Sequence, residues 1–255
     1  MTTPPSGAAA NPTVVLVHGA FADASSWAGV IPLLQAANVA VLAPPNPLRG
    51  IAHDAAYIAS VVSQIPGPVL LVAHSYGGAV ITNAGSQADN VRGLVYVCAF
   101  LPDEGETLQN LAAQATDSQV LPALRPMSYP TTAPAAPDRE FTIDPAAFHA
   151  VFCADLPAAQ AAIMAVSQRP LAGVGFGEPT RQPAWTTLPT WAIVSPHDFV
   201  IGPSGERAMA ERAKATIVEI DGSHVVMIAQ PQKVADVILT AVAAVGGAGA
   251  ATPPA

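Results

Sequence analysis

A serine hydroxyl is a weak nucleophile until a base takes its proton and a third group fixes that base in the right tautomer. Ser75 is placed for such activation. It lies in Ala73-His74-Ser75-Tyr76-Gly77, a small-x-Ser-x-Gly string. The preceding Val69–Ala73 is an apolar run with the length and β-branched content of a buried strand, and the following Ala79–Ala84 is patterned as a helix. A serine on so tight a strand-to-helix turn needs small neighbours and projects its hydroxyl from the sheet edge. In a chain rich in alanine and glycine the string also arises by chance, so an ordinary turn serine is the competing explanation until partners are found.

The chain has six histidines to test as the base. His18 and His74 adjoin other functional segments but precede the acid, His53 opens a surface-type helix, and His149 lies outside the strand-rich part of the chain. His197 is next to Asp198. His224, in Asp221-Gly222-Ser223-His224, follows the last core strand and precedes the final helix. It completes the order serine, acid, histidine. The acid is Asp198, in Ser195-Pro196-His197-Asp198, directly after the strand Thr190–Val194. Asp221 competes, but it stands on the same short loop as His224. Attack on a carbonyl also needs donors for the developing oxyanion. The Tyr76 N–H, just after the nucleophile, is one. The second comes from His18-Gly19-Ala20-Phe21 after the first strand, with Ala20 the first choice and Phe21 the second.

The elements that must position these residues alternate. Thr13–Val17 is an apolar strand, Ser25-Ser26 offers an N-cap for a helix over about Trp27–Ala36, and Val39–Ala43 is the next strand. A helix follows over His53–Gln64, then the Val69–Ala73 strand, the serine turn with its helix, and a strand at Val91–Cys98. This rhythm predicts an α/β protein whose mainly parallel sheet is covered on both faces. From about residue 103 to 185 buried-strand runs vanish, and only short helices are indicated, at Leu108–Ala115, Pro145–Phe152 and Pro157–Gln168. The expectation is a helical cap (103–185) inserted into a core made of residues 13–102 and 186–245. The core resumes with a strand at Thr190–Val194, a helix at Ser204–Lys214, a strand at Thr216–Ile220 and a helix at Pro231–Val245. Residues 1–12 and 246–255 have the composition of disordered tails.

Composition narrows the classes. Of the 255 residues 51% are hydrophobic and 11% charged, enough apolar material for a large core. A net charge of -8 without a Lys/Arg cluster argues against nucleic acid as a partner. No apolar run reaches the roughly 18 residues of a membrane span, and the first residues do not resemble a signal peptide, so a cytoplasmic location is the default. Two cysteines, Cys98 and Cys153, read as buried thiols. The dispersed histidines lack metal-ligand spacing, and no metal is expected.

With these residues assembled, the chain resembles the α/β-hydrolase superfamily, and within it the small plant methyl-ester esterases and hydroxynitrile lyases with their bacterial esterase relatives. The likeness rests on Val14–Trp27 (VVLVHGAFADASSW), Leu70–Ile81 (LLVAHSYGGAVI), Val95–Pro102 (VYVCAFLP) and Gly222–Ile238, and in the cap on Phe152–Pro157. The resemblance implies a six-stranded core, a small helical cap, no cofactor, and Ser75, Asp198 and His224 as a triad. Ala73 departs from the usual first glycine of the turn, a slot that must stay small. The lyases carry a threonine after the first-strand histidine and a lysine after the catalytic histidine; Gly19 and Val225 stand at those positions, which favours hydrolysis.

The expected substrate is a small-molecule ester with an apolar acyl or alcohol group, because the cap carries few charges. Phe21, Phe100, Met127, Trp185 and Val225 are the candidate pocket residues, with plain core packing the competing role for each. A hydroxynitrile lyase-like C–C lyase or a perhydrolase on the same triad, and a non-catalytic ligand-binding protein of this fold, are the alternatives. Oligomeric state is not written in these features.

Overall fold

The computed structural model describes residues 11–130 and 138–246. The expected tails therefore fall mostly outside the described residues. Chain order begins with β1 (Thr13–Val17), a 3-10 turn (Ala24–Trp27), α1 (Ile31–Ala36), β2 (Val41–Leu42), α2 (Ile51–Ser63), β3 (Val69–Ser75), α3 (Tyr76–Ala84) and β4 (Val91–Ala99). An inserted stretch follows, with α4 (Leu108–Gln114), α5 (Val120–Ala123), β5 (Leu124–Tyr129), β6 (Asp138–Ile143), α6 (Pro145–Phe152), α7 (Ala158–Val166), β7 (Leu171–Ala172), α8 (Val174–Gly177) and a 3-10 turn (Ala184–Thr186). The chain closes with β8 (Thr190–Val194), α9 (Pro203–Arg212), β9 (Thr216–Glu219), α10 (Val226–Ala229) and α11 (Pro231–Gly246).

The main sheet has six strands in the order β2-β1-β3-β4-β8-β9, all parallel. Its centre is β3, buried at every residue, which is why the sequence there shows no polar alternation. α3 is buried along its whole length as well, between the sheet and neighbours that include α2. Because the strands run parallel, the segments after β1, β3, β8 and β9 all leave from one edge of the sheet. Open α/β sheets bind ligands outside this carboxyl edge. Among the described residues no helix is long and apolar enough to cross a membrane.

Three departures from the sequence-based expectations have local causes. The helix expected over Trp27–Ala36 is two pieces. Asp23, not Ser25 or Ser26, caps the first turn by accepting the Ser25 N–H, and Pro32 restarts the helix near its own N-terminus. A proline has no N–H to donate back to Ala28, so an unbroken helix from Trp27 was excluded. β2 shrinks to two residues at the sheet edge. The insertion is not only helical: β5, β6 and β7 form an antiparallel three-stranded sheet. β5 (LRPMSY) is mostly exposed and β6 (DREFTI) exposed or half-buried, with a single fully buried residue between them, so they give no buried-strand signal.

The turn from β3 into α3 is tightly packed. A Cβ on Gly77 would stand 2.8 Å from the Val17 carbonyl oxygen and 2.9 Å from that of His18, and one on Gly78 would run into the Phe100 carbonyl. These obstacles are backbone atoms and cannot swing aside. Gly77→Ala should destabilise the protein by about 1–3 kcal/mol, measured by urea unfolding; unchanged stability would show that the β1 edge yields.

Candidate active site

Ser75 ends β3 with φ 54° and ψ -125°, a conformation with positive φ that L-residues rarely adopt. Such backbone costs on the order of 1–3 kcal/mol and persists only where surroundings enforce it. The enforcement is visible next door. Between His74 and Ser75 the β3–β4 register slips, leaving Cys98 as an extra residue with φ 44°. This bulge turns the strand ends apart beside the serine. On the other side, a Cβ on Gly19 would lie 2.6 Å from Ser75 Cβ, so only glycine lets the loop after β1 come this close.

The loops after β8 and β9 are joined by a parallel bridge between His197 and Ser223, which sets the next residues, Asp198 and His224, side by side. His224 Nδ1 lies 2.6 Å from Asp198 Oδ2, and both side chains are fully buried. Facing a carboxylate, Nδ1 carries the proton, which leaves Nε2 with a free lone pair. Nε2 is buried and has no hydrogen-bond partner among the described residues, Ser75 Oγ included. The competing acid, Asp221, is exposed and pairs with His197 at 3.3 Å. Asp198 Oδ1 accepts the Val200 N–H at 2.7 Å and the Ile201 N–H at 3.1 Å. Burial alone would raise its pKa, but the His224 charge, the Glu206 carboxyl and these N–H groups outweigh it and hold Asp198 below the usual carboxylate range.

Of the candidate oxyanion donors, the Phe21 N–H is committed to the Arg169 carbonyl at 3.0 Å. The Ala20 and Tyr76 N–H groups have no backbone acceptor outside regular elements among the described residues. His18 braces this loop. Its Nε2 accepts the Asn46 N–H at 2.9 Å, so Nδ1 carries the proton and donates to the Gly19 carbonyl at 2.8 Å. Tyr76 is anchored through its hydroxyl, which donates to the buried Asp54 at 2.8 Å.

The pocket candidates divide. Val225 and Phe21 are buried next to His224 and in the loop after β1, and Phe21 meets Phe152 edge-on at 6.4 Å. The Phe100 N–H donates to the Ser75 carbonyl at 3.2 Å. Met127 is exposed on β5. Trp185 donates its indole N–H to the Pro102 carbonyl at 2.9 Å and lies against the Arg212 guanidinium, a packing position. Cys98 and Cys153 are free, buried thiols, with burial pushing Cys153 up to about 11.

Comparison with known proteins shows the family. Residues 14–237 match the alpha/beta hydrolase family. The chain belongs to that family. A probable hydrolase of a Phoma species is 27% identical over 248 residues, covering 89% of this chain and 96% of the relative. A pyrethroid hydrolase of Sphingobium wenxiniae is 25% identical over 245 residues, covering 88% and 85%. Among solved structures, polyneuridine aldehyde esterase superposes with a TM-score of 0.78 at 20% identity, covering 91% of this chain and 99% of that one. At that identity the likeness shows the fold.

In this hydrolase, sequence reasoning passed over three groups around His224. His74 Nε2 donates to the His224 carbonyl at 2.9 Å, and the two rings lie 4.5 Å apart. Phe152, from α6, presses on the His224 ring at 5.1 Å. Asp155 accepts the Ser223 N–H at 2.9 Å and ties the cap to the histidine loop. The Phe152–Pro157 motif was the available signal for the last two. Burial holds His18 below its ordinary 6.5, and burial together with the neighbouring His224 holds His74 well below it. The unfolded chain therefore takes up protons that the folded one refuses. Their contribution to stability is present above 6.5 and is lost as pH falls below it, by up to about 1.4 kcal/mol per pH unit for each group. His74→Gln keeps a donor for the His224 carbonyl but removes one titration. Melting temperature against pH should therefore fall less steeply on acidification in this variant than in the parent; equal slopes would mean His74 already titrates normally.

Proposed function

We propose that the protein is a serine esterase that cleaves a small, largely apolar carboxylic ester through an acyl-enzyme. The observation that carries this is the buried His224–Asp198 pair at 2.6 Å, which leaves Nε2 as a bare acceptor. Ser75, at its positive-φ turn, is the nucleophile for that base. A serine–histidine contact that is open without substrate is common and closes in the reactive complex.

In this mechanism Ser75 Oγ bonds to the ester carbonyl carbon as its proton passes to His224 Nε2. Asp198 holds the ring and stabilises the imidazolium. The carbonyl oxygen, now carrying the negative charge, is received by the Tyr76 and Ala20 N–H groups, and each such donor contributes about 3 kcal/mol to lowering the barrier. His224 returns its proton to the departing alkoxide, releasing the alcohol. Water then attacks the acyl carbon as His224 takes its proton; the acyl–Oγ bond breaks, His224 returns that proton to Ser75 Oγ, and the acid leaves. At the level of the family, hydrolysis and esterase activity agree with the relatives. The apolar substrate is supported by the apolar surroundings of His224: Phe152 meets its ring at 5.1 Å, Phe21 packs on Phe152, and Val225 follows His224 in the chain.

Ser75→Ala should lower kcat for a chromogenic short-chain ester by roughly 10⁴-fold or more and abolish labelling by a fluorophosphonate. Asp198→Asn should cost on the order of 10⁴-fold by reversing the tautomer preference of His224. Retained turnover in a folded Ser75→Ala protein, checked by circular dichroism, would sink the assignment.

A further inference from the structure

Behind Asp198 lies a second carboxyl that the proposed mechanism does not use. Glu206, on α9, is 2% exposed. Its Oε2 accepts the Ser195 N–H at 3.1 Å, whereas Oε1 is buried with no donor among the described residues. One carboxylate oxygen each from Glu206 and Asp198, and Cys98 Sγ, lie within 4.8 Å of one another. Two buried carboxylates so placed do not both ionise.

The surrounding donors decide which one is charged. Asp198 receives the Val200 N–H, the Ile201 N–H and the His224 ring N–H. Glu206 receives one backbone N–H. The proton therefore belongs to Glu206, and its bare oxygen acquires a function, since a protonated carboxyl donates where a carboxylate only accepts. We propose that Glu206 is a positioning residue: a neutral carboxylic acid whose O–H donates to Asp198 and fixes the carboxylate that orients His224. Burial and then the Asp198 charge raise its pKa well above the ordinary carboxyl range, which agrees. From β4, Cys98 faces the pair as a neutral thiol, its pKa raised by burial. The arginines of α9, Arg207 and Arg212, pair outward with Glu219 and Glu106. With three N–H donors already on Asp198, the gap between the carboxyls suits a proton better than a metal ion.

This assignment rests on the Ser75–His224–Asp198 reading, so one arm of its test is independent of turnover. Infrared difference spectra at neutral pH should show the carbonyl stretch of a protonated carboxyl that disappears in Glu206→Gln. Absence of that band in the parent protein overturns the proposal, whatever the esterase activity. In the kinetic arm, Glu206→Leu should lower kcat by about 10- to 100-fold with KM little changed. Glu206→Gln, which still donates to Asp198 and accepts from Ser195, should recover most of that loss. A Leu variant with parental kcat, or a Gln variant as impaired as the Leu variant, also overturns it. Loss of all turnover in the parent protein would instead count against the triad.

Discussion

A carboxylate with no access to water is the constraint around which this protein's working edge is arranged. Stripping an ion of solvent costs several kcal/mol even after relaxation. Asp198 bears that cost with 0% exposure, and the chain offsets it on every side. The loop after β8 folds back so that Val200 and Ile201 present N–H groups to Oδ1, and the bridge to Ser223 delivers the His224 ring to Oδ2. Hydrogen bonds to a charged group are worth roughly 1.5–3 kcal/mol each. Three or four of them compensate the burial, and the same bonds fix the histidine. Stability of the charge and orientation of the proposed base are therefore one arrangement.

The second cost is steric and falls on Ser75. Its positive φ is tolerated because β3 and α3, joined at that residue, are among the most buried segments of the chain. Neither can shift to relieve the strain without dislodging apolar side chains on both faces of the sheet. Gly77 and Gly78 remove the side chains that would block this fit. Ala73, where the family motif usually has glycine, is itself fully buried within β3, so the extra methyl fits between its neighbours.

What could be seen in the sequence follows from which signals are local. Continuous apolar runs identified the core strands, and their order put Ser75, Asp198 and His224 on loops at one sheet edge. Joining two loops needs only topology, which parallel strands supply. Contacts made at right angles to the chain left no such trace. His74 is set aside as a base because it precedes the acid, yet its ring abuts His224. Glu206 reads as a surface residue in PSGERAMAER, a helix with charges at several positions, and its burial depends on how α9 lies against β8. The cap sheet was missed because its strands face water on too many residues to show a buried pattern. Pro32 breaks the helix expected over Trp27–Ala36, a local signal that this expectation does not use.

The insertion between β4 and β8 is joined to both loops of the proposed site. Phe152 touches the His224 ring, Asp155 holds the N–H of the residue before it, and the Arg169 carbonyl takes up the Phe21 N–H beside the proposed oxyanion donor Ala20. The insertion thus reaches both the loop of the proposed base and the loop of the proposed anion donor. A displacement of the insertion would move these three contacts. Displacing reacting groups by a fraction of an ångström is costly, because catalysis depends on holding near-attack geometry. Under the proposed mechanism, Phe152, Asp155 and Arg169 are the points at which the insertion bears on the base and the anion donor.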